Sequence, residues 1–392
     1  MNKHISFFKE LIGDYCFSDE LSREGYSHDE TEDIRVMPLC VLKPGTVDEV
    51  SKILTYCNAN QLPVTPMGAR TGLSGGAIPA LNGIALSMER FNRILDIDEN
   101  NHQVTTEPGV ITQVLQETVK EKGLFYPPDP SSKGSCFIGG NIAENSGGPK
   151  AVKYGVVRDY VLNLEVVLPT GEIIWTGSNV LKNSTGYNLT QLMVGSEGTL
   201  GIVTKIVLKL IPFPKHDLLM LVPFRSLEKA SEAVSAIFRA GITPSAMELM
   251  EIDAITLATK MLDSSAIQLT DGLAAHLIIE VDGNNLDVLM NETELIVIEP
   301  FVKTYVSNIS GTASADLKVR GSFSKPEING YLTLKNAGLR VNYLNAYLKV
   351  SDQIRLSENK IFLNNLQVKD LEGNKGSING YITHTYFEKF NL

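Results

Sequence analysis

No stretch of this 392-residue chain approaches the ~20 consecutive apolar residues that a membrane-spanning helix needs. Residues Met1–Lys9 have no apolar core ahead of a cleavage site, so no signal peptide is expected. Cysteine is scarce. Its four copies (Cys16, Cys40, Cys57 and Cys136) form no C-x-x-C pair and no framework spacing, which predicts free thiols in a reducing compartment. The six histidines are scattered without metal-ligand spacing, so no metal site is expected. Clustered basic residues are also lacking. The net charge is −10, and the acidic main body excludes nucleic acid as a partner, because phosphate contacts need grouped Lys and Arg.

That charge is unevenly spread. From Ile296 onward there are 12 Lys and Arg against 8 Asp and Glu, a net of +4, which leaves −14 on the first 295 residues. Such a break predicts two segments with different histories.

Glycine, by contrast, is concentrated. In Pro66-Met67-Gly68-Ala69-Arg70-Thr71-Gly72-Leu73-Ser74-Gly75-Gly76, the four glycines cannot support a stable helix or strand. They can turn successive backbone N–H groups inward as a cradle for an anion. No Gly-Lys-Ser/Thr follows, which excludes a P-loop, and the spacing is not G-x-G-x-x-G. Ile78-Pro79 then blocks a helix, and Gly83–Ser87 reads as a strand. A cradle between two strands suits a diphosphate held by loop backbone, with Arg70, Thr71 and Ser74 as further donors.

Around it runs an α+β rhythm. Residues 1–34 read as a helical lead-in ending in the acidic, poorly patterned Ser27–Asp33. Pro38–Val41 reads as a strand, and Thr46-x-x-Glu49 as a capping box opening a helix with Val50, Ile53, Leu54 and Cys57 on one face. Leu62–Thr65 feeds the cradle, and Ile94–Ile97 with Val104–Thr106 predicts a hairpin. A helix is expected over Val110–Lys122, with Val114, Leu115 and Val119 inward. Tyr126–Ser132 holds three prolines in four positions, a rigid extended segment that cannot join a central sheet. Gly139–Gly148 reads as a second glycine-rich loop without Lys or Arg, whose Asn141 and Asn145 suit a heteroaromatic ring edge. Val161–Leu168 and Glu172–Thr176 predict a second hairpin. A third glycine turn, Gly195–Gly201, leads into a strand over Ile202–Leu210. Beyond Pro214, Leu218–Pro223 and Ala274–Val281 read as strands and Ser226–Ala240 as a helix.

The segments Pro66–Gly76, Pro127–Ser132, Gly139–Gly148 and Gly195–Thr204 resemble the FAD-linked oxidases of the vanillyl-alcohol oxidase (PCMH) type. Within that family the resemblance is to the glycolate/D-lactate/D-2-hydroxyglutarate dehydrogenase-like branch, over about residues 35–290. It implies an α+β fold: a two-lobed PCMH-type FAD-binding domain over 35–214 and a partial substrate-binding cap over 215–295, after which the residues themselves read as a β-rich segment over 296–392. It implies that Pro66, Gly68, Arg70, Thr71, Gly72, Ser74, Gly75 and Gly76 hold the FAD diphosphate. Asp129, Ser132, Gly139, Gly140, Asn141, Ala143, Asn145 and Gly147 would pack along the isoalloxazine and ribityl chain, with Gly198 and Ile202 toward the adenine. No motif carries a loop histidine, so FAD is expected to be non-covalent. The implied reaction passes a hydride from C2 of a small 2-hydroxy acid to the flavin while a base takes the hydroxyl proton. The resemblance names no electron acceptor, and it implies a cytoplasmic flavin domain.

The sequence also departs from the family. The arginine for the substrate carboxylate and the H-x-G-D-G-N-x-H motif are absent, and Asp282-Gly283-Asn284 matches only the motif's middle. Glu248 in Met247–Met250 is a candidate active-site group, with an ordinary ion-paired Glu equally in view. His276 is a candidate base, and more simply a strand residue. From about Ile296, apolar pairs recur two apart, which predicts short amphipathic strands. Ile328-Asn329-Gly330-Tyr331 returns as Ile378-Asn379-Gly380-Tyr381, a repeat of 50 residues. Ser310–Ala313, Gly321–Phe323, Lys325–Glu327 and Leu334–Ala337 resemble the TamB/AsmA-like proteins of the cell envelope, which implies a lipid- or membrane-associated tail. An FAD-dependent oxidoreductase, a non-catalytic FAD-binding relic and an envelope lipid-handling module all remain open at this point.

Overall fold

The computed structural model describes residues 3–261, 272–283, 286–298, 305–322, 325–385 and 389–391. The chain divides into two compact units, Met1–Phe213 with Leu219–Val281, and Pro214–Leu218 with Asp282–Leu392.

The first unit contains two lobes. One is a four-stranded sheet in the order Cys16–Phe17, Cys40–Leu42, Ile84–Ser87, Val64–Met67. Its first pair is antiparallel and the other two are parallel. Helices Lys3–Ile12 and Val47–Ala59 bury Phe8, Ile12, Val50, Ile53, Leu54 and Cys57 against Ile84 and Leu86 of that sheet. The expected helix start holds with one change. Thr46 Oγ1 accepts from the Glu49 N–H at 3.2 Å, but Glu49 reaches back to the N–H of Gly45, not of Thr46. The lead-in also contributes a strand, Cys16–Phe17, that its sequence did not announce.

The other lobe is a five-stranded antiparallel sheet in the order Ile94–Asp98, Gln103–Thr106, Ile202–Lys209, Val161–Val167, Ile173–Trp175. Both expected hairpins are present. Asp98 closes the first by accepting from the N–H groups of Asn100 and Asn101. Helix Thr112–Lys120 is shorter than expected, and its inward face is Thr112, Leu115 and Val119, while Val114 is 48% exposed. The side chains of 112, 115 and 119 fall on one stripe at helical spacing; 114 lies well round from them. The prolines of Tyr126–Pro130 stay outside any strand, and Gln116 Nε2 donates to the carbonyls of Tyr126 and Pro128.

The glycine-rich Gly139–Gly148 is not all loop. Ile138–Glu144 is a helix that ends at Asn145, which has a left-handed φ of 52°. Ile138, Asn141 and Ile142 are buried, so packing overrides the weak helix preference of two glycines. Gly139 is required there: a Cβ would stand 2.5 Å from Pro108 Cβ and 3.1 Å from its carbonyl oxygen.

Strands His216–Phe224, Ala275–Gly283 and Ala246–Glu251 form a three-stranded sheet with helices Leu227–Arg239 and Ile252–Met261. Ala275–Gly283 is its central strand, paired on both sides, and Leu277 and Ile279 are buried.

The second unit holds an eight-stranded sheet running from Leu286–Glu294 to Lys389–Asn391, with antiparallel pairs throughout. Its strands are not all short: Val306–Ser322 and Lys325–Val341 are 17 residues each. The 295/296 boundary expected from charge falls at the 3-10 turn Leu295–Ile298, between two paired strands of this sheet. The I-N-G-Y repeat is structural as well as sequential. Gly330 has φ 148° and Gly380 φ 145°, and they pair with Leu317 and Leu363. A Cβ on Gly330 would lie 2.0 Å from the Asp316 carbonyl oxygen. Asn284 and Phe323, which the sequence reading used, lie outside the described residues.

Gly83 offers a direct test of the first lobe. A Cβ there would stand 2.2 Å from the carbonyl oxygen of Pro63, which accepts the Ile84 N–H. Gly83→Ala must push the strands Val64–Met67 and Ile84–Ser87 apart, and is expected to destabilise the protein by more than about 2 kcal/mol. Chemical denaturation checks it; an unchanged midpoint would contradict this strand pairing.

Candidate cofactor cleft

Three segments converge on a cleft of about 360 Å³, within the range of small-molecule sites. Residues 66–74 with Gly76 and Ala77 form one wall, residues 136–137 and 139–144 a second, and 196–198 with 201–203 a third. Backbone bonds sew the second wall to the third: Gly195 N–H donates to the Ile142 carbonyl at 2.9 Å, and Glu197 N–H to the Ala143 carbonyl at 3.0 Å. The third meets the first where Gly198, at φ 71°, would place a Cβ 2.4 Å from Pro66 Cγ. Gly201 packs as closely on Val166 and Val167.

The glycines therefore divide into two kinds. Gly198, Gly201 and Gly139 let the chain pack directly on neighbouring side chains and carbonyls. Gly72 and Gly140 have no atom within 4 Å of where a Cβ would stand, so they widen the cleft.

Of the residues expected to hold a cofactor, Pro66, Gly68, Arg70, Thr71, Gly72, Ser74, Gly76, Ser132, Gly139, Gly140, Asn141, Ala143, Gly198 and Ile202 line this cleft. Gly75, Asp129, Asn145 and Gly147 do not, and each has visible structural work. Gly75 takes φ 75° and donates its N–H to Thr31 Oγ1. Asp129 Oδ1 accepts the Lys150 N–H at 3.1 Å, and burial holds its carboxyl above the ordinary range. Asn145 Oδ1 accepts the Arg158 N–H at 2.9 Å. Gly147 packs on Val156 and Ala151. Asn141 lines the cleft but is 3% exposed, and its amide donates to Thr112 Oγ1 at 2.6 Å.

Glu248 and His276 are not among the lining residues. Glu248 is exposed on strand Ala246–Glu251, opposite Ile278. His276 is 3% exposed opposite Met250, and its Nδ1 has no hydrogen-bond partner among the described residues.

The sequence reading missed the cleft's carboxylates. Asp29, Glu144 and Glu197 all line it, against one cation among the described residues, Arg70. A Cβ on Gly76 would lie 3.3 Å from Glu144 Oε1 and 3.9 Å from Glu197 Oε2, so the two carboxylates meet over that glycine. Burial first, then Glu197 and Asp29, raise the Glu144 carboxyl above the ordinary carboxylate range. Nothing in residue spacing signals this meeting, because Asp29, Glu144 and Glu197 are brought together only by the tertiary fold.

Comparison with known proteins fits this geometry. Residues 38–177 match the model of an FAD binding domain, and residues 213–319 that of the C-terminal domain of FAD linked oxidases. The chain is a homologue of the FAD-linked oxidoreductases. It is 45% identical over 275 residues to the glycolate oxidase subunit GlcD of Bacillus subtilis, covering 70% of this chain and 58% of that protein. It is 38% identical over 303 residues to a D-lactate dehydrogenase of Anaerostipes hadrus, covering 75% and 63%. A D-2-hydroxyglutarate dehydrogenase of Xanthomonas citri pv. viticola is 40% identical over 225 residues, covering 57% and 48%. The chain thus spans less than two thirds of the length of each. The fold matches a solved structure of alkyldihydroxyacetonephosphate synthase with a TM-score of 0.63 at 22% identity, covering 72% of this chain and 56% of that one. FAD is the cofactor this domain serves. The open faces of Gly72 and Gly140 leave room for a long, narrow group in this cleft. Among the described residues, no helix is long and apolar enough to cross a membrane, and no acidic, His or Cys group could hold a metal ion.

The carboxylates give the cleft a pH dependence. An anionic ligand beside Glu144 raises its pKa further, so binding takes up a proton and weakens as pH rises through that range. FAD affinity, followed by flavin fluorescence, is expected to rise as pH falls from about 8 toward about 5. Glu144→Gln should bind more tightly at the alkaline end and flatten the slope; an unchanged slope would place the titrating group elsewhere.

Proposed function

We propose that the chain binds one FAD non-covalently in this cleft, and that its parent chemistry is oxidation of a small D-2-hydroxy acid of the glycolate or D-lactate type. The observation that supports it is the convergence of the three glycine segments on one cleft inside the matched FAD binding domain. The glycolate, D-lactate and D-2-hydroxyglutarate relatives supply the substrate class. Bound FAD would accept the C2 hydride at flavin N5.

In this reading the N–H groups of residues 68–74, with Arg70, Thr71 and Ser74, hold the diphosphate. Ser132, Gly139, Gly140 and Ala143 flank the ring and ribityl chain, and Gly198 and Ile202 the adenine end. Asp129, Asn145, Gly147 and Gly75 brace those walls. The flavin unit is read as cytoplasmic.

A second reading is favoured by the sequence itself: without the carboxylate-binding Arg and the H-x-G-D-G-N-x-H motif, this polypeptide is an FAD binder with little turnover. For the sheet from 296 onward, the likeness to TamB/AsmA-like envelope proteins rests on its sequence segments alone, and the oxidase C-terminal model extends to 319 within it.

The purified protein should be yellow, and acid precipitation should release the flavin to the supernatant. Flavin retained on the pellet would overturn the non-covalent assignment, and protein that stays colourless after incubation with FAD would overturn the cofactor assignment. Reduction of bound FAD by glycolate, D-lactate or D-2-hydroxyglutarate should be slow, since losing proton transfer alone costs ~10²–10⁴ in rate. Stopped-flow bleaching at ordinary enzyme rates would show that Glu248, His276 or another group supplies the missing site.

A further inference from the structure

The lead-in segment 26–31 lies outside the matched FAD binding domain, which starts at residue 38, yet it is bonded to the glycine cradle. Thr31 Oγ1 accepts the Gly75 N–H at 2.7 Å. Asp29, 5% exposed, accepts the Ala77 N–H at 3.4 Å through one carboxylate oxygen and the Thr31 N–H at 2.9 Å through the other. Glu30 N–H donates to the Gly72 carbonyl at 3.1 Å. The Tyr26 ring lies 4.2 Å from the Arg70 guanidinium, while its hydroxyl donates to Glu89 at 2.7 Å. Glu89 in turn pairs with Lys43 at 2.6 Å. The segment is rooted beyond these contacts: Ser27 is 1% exposed and its carbonyl accepts the Val36 N–H at 2.8 Å.

We propose that residues 26–31 are a strap that sets the shape of the cradle, with Thr31 and Asp29 as positioning residues for diphosphate recognition. Two N–H groups of the glycine run, those of Gly75 and Ala77, are turned outward onto the strap. Gly75 accordingly does not line the cleft, whereas residues 68–74 all do. The turn at Gly75 leaves the preceding N–H groups as the ones free to face an anion. Arg70, at φ 60°, is held against Tyr26 in the same way, so the direction of this cleft cation is also set from the lead-in. The ligand class is a nucleoside diphosphate moiety, and this part rests on the FAD reading.

The experiment uses the full chain and the variants Asp29→Ala/Thr31→Val and Thr31→Ser. Hydrogen exchange of peptides spanning 68–77 is followed in the apoprotein, with peptides spanning 84–88 as a control for the lobe. Affinities for FAD, ADP and riboflavin are measured on the same samples. In the double variant, exchange should accelerate at 68–77 and not at 84–88. The Kd for FAD and for ADP should rise about ten-fold or more, as expected for two lost hydrogen bonds, with riboflavin affinity unchanged. Thr31→Ser, which keeps the hydroxyl, should behave as the parent. Unchanged exchange at 68–77, or FAD and ADP affinities within two-fold of the parent, overturns the strap. An equal loss for riboflavin, or acceleration at 84–88, overturns the positioning role in favour of general loosening. If the parent binds neither FAD nor ADP, the diphosphate role falls with the FAD reading, while accelerated exchange confined to 68–77 would still uphold the strap's hold on the loop.

Discussion

The cleft depends on chain segments being allowed to approach one another closely. Glycine stands where segments far apart in sequence pack most tightly: Gly198 against the Pro66 ring, Gly139 against Pro108, Gly201 against Val166 and Val167. A methyl group at any of these points would sit at 2.4–2.6 Å from a neighbouring atom, and the wall would have to move. The price is conformational freedom in the unfolded chain. The two lobes meet that cost with separate cores, one around Ile53, Leu54 and Leu86, the other around Leu115, Leu164 and Ile206.

Much of this was legible in the sequence because the governing periodicities are local. The hairpins at 94–106 and 161–176, the helix after Thr46 and the strand after Gly201 follow from alternation, capping and turn chemistry acting over a few residues. The glycine cradle was legible for the same reason. What escaped depends on partners distant in the chain. Ile138–Glu144 is helical although it contains Gly139 and Gly140, because Ile138 and Ile142 have a core to enter. Val114 faces out because the bulk of the lobe lies on the side of Leu115 and Val119. Asn145 and Asp129 look like ligand contacts in a linear motif, yet their side chains satisfy the N–H groups of Arg158 and Lys150. A motif shows that residues are needed, not which of them touch the ligand.

The lead-in is the clearest case. Ser27–Asp33 has no hydrophobic period, so pattern reading leaves it without a partner. Its order comes from polar pairing: Asp29 takes two N–H groups, Thr31 takes another, and Tyr26 lies between Glu89 and Arg70. Segments held this way carry no amphipathic signature, and their role is visible only when donors and acceptors are matched one by one.

The same matching explains how an acidic cleft can be built for an anion. Among the described residues, three carboxylates and one guanidinium line it, so side-chain charge alone would repel a diphosphate. Two features offset this. Asp29 is committed to the backbone N–H groups of Ala77 and Thr31, and Glu144 is shifted toward its neutral form by burial and by the other two acids. In the reading proposed above, the attraction rests on the N–H dipoles of residues 68–74, whose strength does not fall with pH and is reduced little by salt when they are enclosed. A Lys-rich loop would attract any polyanion. A backbone cradle beside carboxylates rewards only a ligand whose phosphates reach the N–H groups and whose remaining length avoids Glu144 and Glu197, so the acids act as a filter on shape as much as on charge.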